Sequence, residues 1–96
     1  MENNGYEILE RNKHFSKFCE IDIIAKYKNR TIFIEVKTRK TANFGSPLEA
    51  ITKKKYENIK IGLLHYVQEN KIRNYQIDAI SIILEPKLEI KHLKNI

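Results

Sequence analysis

Two neighbouring segments rich in β-branched residues constrain the fold of this chain more than any other feature. Residues 20–26 read EIDIIAK, residues 31–38 read TIFIEVKT, and a short polar segment at residues 27–30 separates them. β-branched residues favour strands, and two such runs joined by a short polar connection favour an antiparallel hairpin. If the hairpin is symmetric about the Lys28–Asn29 bond, the numbers of opposed residues sum to 57.

That register places charged residues opposite one another. Asp22 falls opposite Glu35, and Glu20 falls opposite Lys37. Because successive side chains of a strand alternate between its two faces, Glu35 and Lys37 share a face, and Val36 points to the other. We therefore predict that Asp22, Glu35 and Lys37 come together on one surface of a sheet.

Two opposed carboxylates repel each other, so a cation is expected beside them. Lys37 could be that cation, in which case the cluster is structural. Alternatively, Asp22 and Glu35 hold a hard divalent cation through their oxygens. Such a site suits phosphodiester hydrolysis, with the lysine orienting the attacking water. The spacing alone leaves both interpretations open.

A helical pattern follows the hairpin. Ser46 can cap a helix, Pro47 fits its first position, and Glu49 completes a capping box with Ser46. Asn70 is the predicted end of the helix. Apolar residues recur every three to five positions between these limits, at Leu48, Ile51, Tyr56, Ile59, Leu63, Tyr66 and Val67.

Three further strands complete the predicted fold. They cover residues 6–11, 75–84 and 88–93, with a connection at residues 12–18, and the last strand is expected at a sheet edge. The order is strand, strand, strand, helix, strand, strand. A second hydrophobic core does not fit in 96 residues. We therefore expect one α/β domain over residues 1–96, with a mixed central sheet and a helix packed across it.

Composition sets the expected location and assembly. The chain has one cysteine, Cys19, so it cannot form an internal disulfide, and it contains neither a signal peptide nor an apolar run of about 18 residues. We therefore expect a cytoplasmic protein without a membrane partner. A domain of this size buries a small share of its surface, so homodimer formation would add stability.

The charge fits either a nucleic-acid partner or an ordinary lysine-rich surface, and its concentration in one segment favours the partner. The formal net charge is +6, the sign expected of a protein that meets phosphate polyanions. Residues 37–60 hold seven basic and two acidic residues, directly after the acidic pair. Candidate phosphate contacts in this segment are Thr38, Arg39, Lys40, Lys53, Lys54 and Lys55, although three consecutive lysines cannot all point one way on a helix.

The acidic pair and its lysine resemble a known nuclease motif. Asp22, twelve intervening residues and then Glu35-Val36-Lys37 are similar to the motif of the PD-(D/E)xK restriction-endonuclease-like superfamily, as in archaeal Holliday-junction resolvases. The wider sequence resembles the uncharacterised bacterial YraN-like family over nearly the whole chain. The matching segments are GYEILERN from Gly5, EIDIIA from Glu20, IFIEVKTR from Ile32, FGSPLEAI from Phe44 and IDAISI from Ile77.

The resemblance implies a restriction-endonuclease-like fold and a metal-dependent nuclease that acts on DNA, including branched DNA. It implies that Asp22 and Glu35 bind Mg²⁺ or Mn²⁺, with the carbonyl of Val36 as a further ligand. It also implies that Lys37 positions the attacking water and that Glu20 contacts the metal ligands without binding the metal itself.

These families carry an N-terminal helix whose glutamate joins the metal site. The matching segments begin here at Gly5, four residues after Met1, so we expect this chain to lack that helix. Three functions follow as hypotheses: an active structure-selective nuclease, a catalytically inactive relative that binds nucleic acid, and a scaffold that binds a protein partner.

Overall fold

The structure is a computed structural model, and it describes residues 5–16, 19–41 and 52–96. Within these ranges the chain forms five strands and one helix. The predicted order of elements is confirmed, and so is a mixed α/β fold. The elements are β1 (Tyr6–Ser16), β2 (Cys19–Tyr27), β3 (Arg30–Arg39), α1 (Lys53–Glu69), β4 (Tyr75–Ile83) and β5 (Glu89–Leu93).

The five strands form one mixed sheet in the order β1-β2-β3-β4-β5. Neighbouring strands are antiparallel except β3 and β4, which are parallel. Parallel strands need a long crossover between them, and α1 lies in that crossover. β5 is an edge strand, as predicted.

The hairpin of β2 and β3 has the predicted register. Pairs run from Tyr27 with Arg30 to Ile23 with Ile34, and the numbers of each pair sum to 57. Lys28 has a φ of 56°, and positive φ is required of the first central residue in the two-residue turns that match the twist of a hairpin.

The β2–β3 ladder ends at Ile23 and Ile34. The predicted pairing of Glu20 with Lys37 is therefore wrong. Beyond Ile23, β2 continues its ladder with β1, and Glu20 pairs there with His14.

β1 is longer than predicted, because residues 12–16 belong to the strand and not to a connection. The segment is polar, yet its backbone pairs with β2 through Lys13 and His14. Two register shifts interrupt this ladder, and Asn12 has a φ of 50°. Pairing with a neighbouring strand therefore overrides the weak local preference of this segment.

α1 begins later than predicted. Thr52 caps it with an extended backbone, φ −69° and ψ 160°, so a helix running without interruption from Ser46 is wrong. The predicted capping residues lie outside the described residues; they are Ser46, Pro47 and Glu49. Residues 1–4 also lie outside them, so the expected lack of an N-terminal helix stays a prediction. Asn70 caps the C-terminal end as predicted, and its N–H donates to the Tyr66 carbonyl at 3.0 Å. In the described ranges no helix has the length and apolar character needed to cross a membrane.

Hydrophobic clusters lie on both faces of the sheet, and they show which way β3 directs its side chains. Phe33 packs on the face covered by α1, whereas Ile32, Ile34 and Val36 join the cluster on the opposite face. The predicted alternation is therefore confirmed, and Glu35 lies on the helix side with Phe33. The buried cluster beneath the helix comprises Ile21, Ile24, Phe33, Ile59, Leu63, Tyr66 and Ile77.

Candidate functional site

Glu35 is a buried carboxylate between the sheet and the start of α1. It is 5% exposed, although β3 reaches solvent two residues later at Lys37. Its Oε1 forms an ion pair with the Lys55 ammonium group. Its Oε2 is buried and has no hydrogen-bond partner among the described residues. A buried oxygen without a partner is costly, so this atom marks a position that a proton or a ligand can stabilise.

Asp22 lies beside Glu35 because of where the hairpin ladder ends. One step beyond the Ile23–Ile34 pair, the Asp22 side chain replaces a backbone partner, and its Oδ2 accepts a hydrogen bond from the Val36 N–H at 2.8 Å. This bond holds the Asp22 carboxylate against the strand that carries Glu35. The site thus contains both predicted acidic residues, and Val36 takes part in it through its N–H, while its carbonyl as a metal ligand stays a prediction.

The surroundings raise the pKa of Glu35 above its ordinary value of 4.5. Burial is the largest cause, because it penalises the charged form. Asp22 raises the pKa further, since it repels a second negative charge and can hydrogen-bond to Glu35 only when one of the two carboxyls holds a proton. Lys55 acts in the opposite direction, and the net shift is upward.

Lys55 is the cation that pairs with Glu35, whereas Lys37 forms no ion pair with either carboxylate in the part of the chain that the structure describes. Lys55 lies in the first turn of α1, where its N–H donates to the N-cap Thr52 Oγ1 at 3.1 Å. The sequence indicates Lys55 only as a phosphate-binding residue. Thr52 is of a residue type that is preferred at N-caps, but the pairing of Lys55 with Glu35 depends on how the crossover returns to the sheet.

The other predicted phosphate-binding residues lie on the first turn of α1 and at the end of β3. Lys53 and Lys54 are exposed on the first turn of α1, and Thr38 is exposed near the end of β3. Lys55 points toward Glu35, so the three consecutive lysines diverge as expected. The carbonyls of Arg39 and Lys40 accept hydrogen bonds from the N–H groups that follow β4, at 3.0 and 2.8 Å. Glu20 Oε1 lies 3.7 Å from His14 Nε2 on β1, so its role beside the acidic pair stays a prediction.

The two carboxylates fit a hard divalent cation in charge and donor type. With both carboxylates ionised, Asp22, Glu35 and Lys55 together carry one net negative charge. Glu35 Oε2, which has no partner within residues 5–16, 19–41 and 52–96, is an oxygen of the kind that Mg²⁺ and Mn²⁺ prefer. The described ranges contain no group of three or more His, Cys, Asp or Glu side chains able to hold a metal. A cation here would therefore keep several ligands from water or substrate, as Mg²⁺ usually does.

Comparison with known sequences assigns the chain to a family. The profile of the Uncharacterised protein family UPF0102 matches residues 1–82. A UPF0102 protein of Caldicellulosiruptor saccharolyticus is 43% identical over 96 residues, covering 95% of this chain and 80% of the relative. A UPF0102 protein of Clostridium botulinum is 44% identical over 101 residues, covering 99% and 81%. One from Sulfurihydrogenibium sp. is 40% identical over 97 residues, covering 99% and 81%. The chain therefore belongs to the UPF0102 family, the YraN-like family that its sequence segments resemble.

Proposed function

We propose that this protein is a metal-dependent nuclease of the PD-(D/E)xK type that hydrolyses phosphodiester bonds in DNA. The observation that carries the proposal is the buried Glu35 carboxylate, whose Oε2 has no hydrogen-bond partner in the described ranges, with Asp22 beside it. A fold does not benefit from a second carboxylate next to a buried one, because each disfavours ionisation of the other. Binding of a divalent cation would remove that cost.

Each side chain has a definite role in the proposed reaction. Asp22 and Glu35 would hold Mg²⁺ or Mn²⁺, which when bound supplies a Lewis acid that stabilises charge on the phosphoryl group. Water attacks phosphorus and loses a proton, while the bond to the leaving oxygen breaks and that oxygen gains one. Lys37, exposed beyond Glu35 on β3, is the residue available to orient the phosphate or the water.

The ion pair of Lys55 with Glu35 favours a second candidate function, nucleic-acid binding without catalysis. Its ammonium group already neutralises one carboxylate through Glu35 Oε1, so the acidic pair can persist in the folded protein with a lysine in place of a metal ion. In that case the exposed lysines at the start of α1 would bind phosphates without cleavage.

Nuclease assays with matched variants distinguish the two functions. Four-way junction, flap and linear duplex DNA are incubated with the full chain in Mg²⁺ or Mn²⁺. Asp22→Asn and Glu35→Gln remove a charge from the proposed ligands, and Glu57→Gln makes the same change on an exposed residue of α1. The nuclease proposal expects cleavage by the wild type and Glu57→Gln, and a decrease in activity of at least about a hundredfold in the other two.

A second measurement does not depend on activity. Mn²⁺ binding, followed by electron paramagnetic resonance, should be present in the wild type and abolished in Asp22→Asn and Glu35→Gln. Absence of both cleavage and Mn²⁺ binding, with DNA affinity unchanged in the two variants, would support the inactive DNA-binding protein. Absence of DNA binding at low salt would support the scaffold hypothesis instead.

A further inference from the structure

A second polar site lies at the opposite end of β3 from Glu35 and on the other face of the sheet. Arg30 is five residues before Glu35, roughly 16 Å along an extended strand. It borders a pocket of about 390 Å³, which is within the size range of small-molecule sites. Ile32, a residue of the cluster on the face away from α1, also lines the pocket.

Three cationic side chains line this pocket, and none of the described residues around it is acidic. The cations are Lys28 and Arg30 from the β2–β3 hairpin and Lys94 from the segment after β5. The amide side chains of Asn29 and Asn74 add neutral hydrogen-bond donors. Cations from separate parts of the chain therefore converge on a pocket whose described lining offers no carboxylate to neutralise them.

A hydrogen-bond network that begins at a buried carboxylate extends to Arg30 at the surface. Asp78 is fully buried, and its Oδ1 accepts from Gln76 Nε2 at 2.7 Å and from the Asn95 N–H at 2.9 Å. Its Oδ2 lies 2.6 Å from His92 Nε2. Because the Gln76 amide nitrogen donates to Asp78, the Gln76 amide oxygen faces outward and accepts a hydrogen bond from Arg30 Nη1 at 3.0 Å.

Two stacked tyrosines form an aromatic wall of the same pocket. The rings of Tyr6 and Tyr27 are 4.5 Å apart and nearly parallel. Lys28 Nζ lies 5.3 Å from the centre of the Tyr27 ring, close enough for a cation–π interaction. The wall and the positioned guanidinium give the pocket both an apolar side and a cationic side.

We propose that this pocket binds the phosphate group of a nucleotide, with Arg30 as its principal contact and Lys28 and Lys94 as supporting cations. A positioned guanidinium can donate two parallel hydrogen bonds to phosphate oxygens. The aromatic wall and the volume provide room for a group larger than a free ion. The ligand is a free nucleotide or the phosphorylated end of a nucleic-acid strand, since both present the same chemistry. The site does not depend on the nuclease proposal.

Binding measurements with matched ligands test the proposal. Adenosine monophosphate, adenosine, and a single-stranded tetranucleotide with or without a 5′ phosphate are titrated into the full chain, and backbone amide shifts are followed by NMR. The phosphorylated ligands should shift the amides of Asn29, Arg30 and Asn74 and leave that of Glu35 unchanged. The ligands without a terminal phosphate should bind at least about tenfold more weakly.

Substitutions then assign the binding residue. Arg30→Ala should weaken binding at least about tenfold, and Arg30→Lys, which keeps the charge but removes the planar fork of donors, should recover part of it. Lys87→Ala removes one positive charge beyond the far end of β4 and should change affinity less than about twofold. Binding of the tetranucleotide but not of adenosine monophosphate identifies the strand end as the ligand. The proposal is overturned if neither phosphorylated ligand binds, or if Arg30→Ala binds as well as the wild type.

Discussion

Glu35 combines two properties that a structural side chain rarely has together, burial and an oxygen without a partner among the described residues. Folding raises its pKa, so between its unfolded and folded values the native state binds more protons than the unfolded state. The free energy of unfolding contributed by Glu35 therefore falls as pH rises from about 4.5 through the folded pKa.

Glu35→Gln should remove this contribution. In metal-free buffer containing a chelator, we expect the wild type to lose stability relative to Glu35→Gln as pH rises from about 4 toward neutrality. Urea unfolding at several pH values measures the difference between the two proteins. A difference that is constant with pH, or that grows in the opposite direction, contradicts the raised pKa.

The ion pair predicts unequal roles for two lysines near the site. Lys55→Met leaves the Glu35 carboxylate buried without its cation, which we expect to cost about 1–2 kcal/mol. The effect is smaller than for a fully buried pair because the Lys55 side chain is 39% exposed. Lys37→Met should change the free energy of unfolding by less than about 0.5 kcal/mol. Urea denaturation without metal checks both values, and equal effects in the two variants would contradict the assignment.

At the residue scale the sequence predicts the acidic pair but not its cation. The proximity of Asp22 and Glu35 follows from strand alternation and a symmetric two-residue turn, which are short-range properties. Lys55 reaches Glu35 from the helix within the β3–β4 crossover, and side-chain periodicity carries no information about where that helix packs on the sheet.

At the level of elements, the N-cap of α1 and the ion pair with Glu35 lie in the same helical turn. Thr52 accepts from the Lys55 N–H, so it satisfies one of the free amides at the helix start and orients the residue that pairs with Glu35. Thr52→Ala should destabilise the protein by about 1 kcal/mol, or roughly 4–8 °C in Tm.

Thr52→Ser is the matched control, because it keeps the hydroxyl group and removes only a methyl. Thermal unfolding followed by circular dichroism should give a Tm for this variant close to that of the wild type. If serine and alanine lower the Tm equally, the cap hydrogen bond is not the cause.

The strands differ in how well local sequence defines them. β3 is apolar and β-branched, so its predicted limits differ from the observed Arg30–Arg39 by one residue at each end. The second half of β1 is polar and has no such pattern, and it is a strand because β2 offers backbone partners along its edge. The predicted capping box of Ser46 and Glu49 lies outside the described residues, and α1 itself is capped by Thr52.

For the whole molecule, the net charge of +6 predicts salt-dependent binding to DNA if the proposed function is correct. Replacing both Lys53 and Lys54 with alanine should reduce the slope of log K against log salt by about 2, roughly one for each phosphate that the variant no longer neutralises. Replacing Lys87 and Lys91 removes the same charge near and within β5. Fluorescence anisotropy from about 50 to 300 mM salt measures the slopes, and identical slopes in the two double variants would exclude α1 from the interface.

The overall topology was predictable only in part. The order of elements and the mixed sheet follow from the sequence pattern, because a helix between two strands favours a crossover. The placement of β4 beside β3 is a choice among several sheet orders that satisfy the same hydrophobic pattern. In the structure β4 pairs with β3 in parallel over residues 31–39 and 75–83, a long-range pairing that side-chain periodicity does not specify.

The parallel pairing of β3 and β4 affects the chain while the ribosome is still making it. Once Thr41 has emerged, β1, β2 and β3 can already associate as an antiparallel meander. The far side of β3 then stays open until Ile83 has been translated. A strand that is central in the finished protein is thus temporarily an apolar edge, the kind of surface that chaperones shield during biosynthesis.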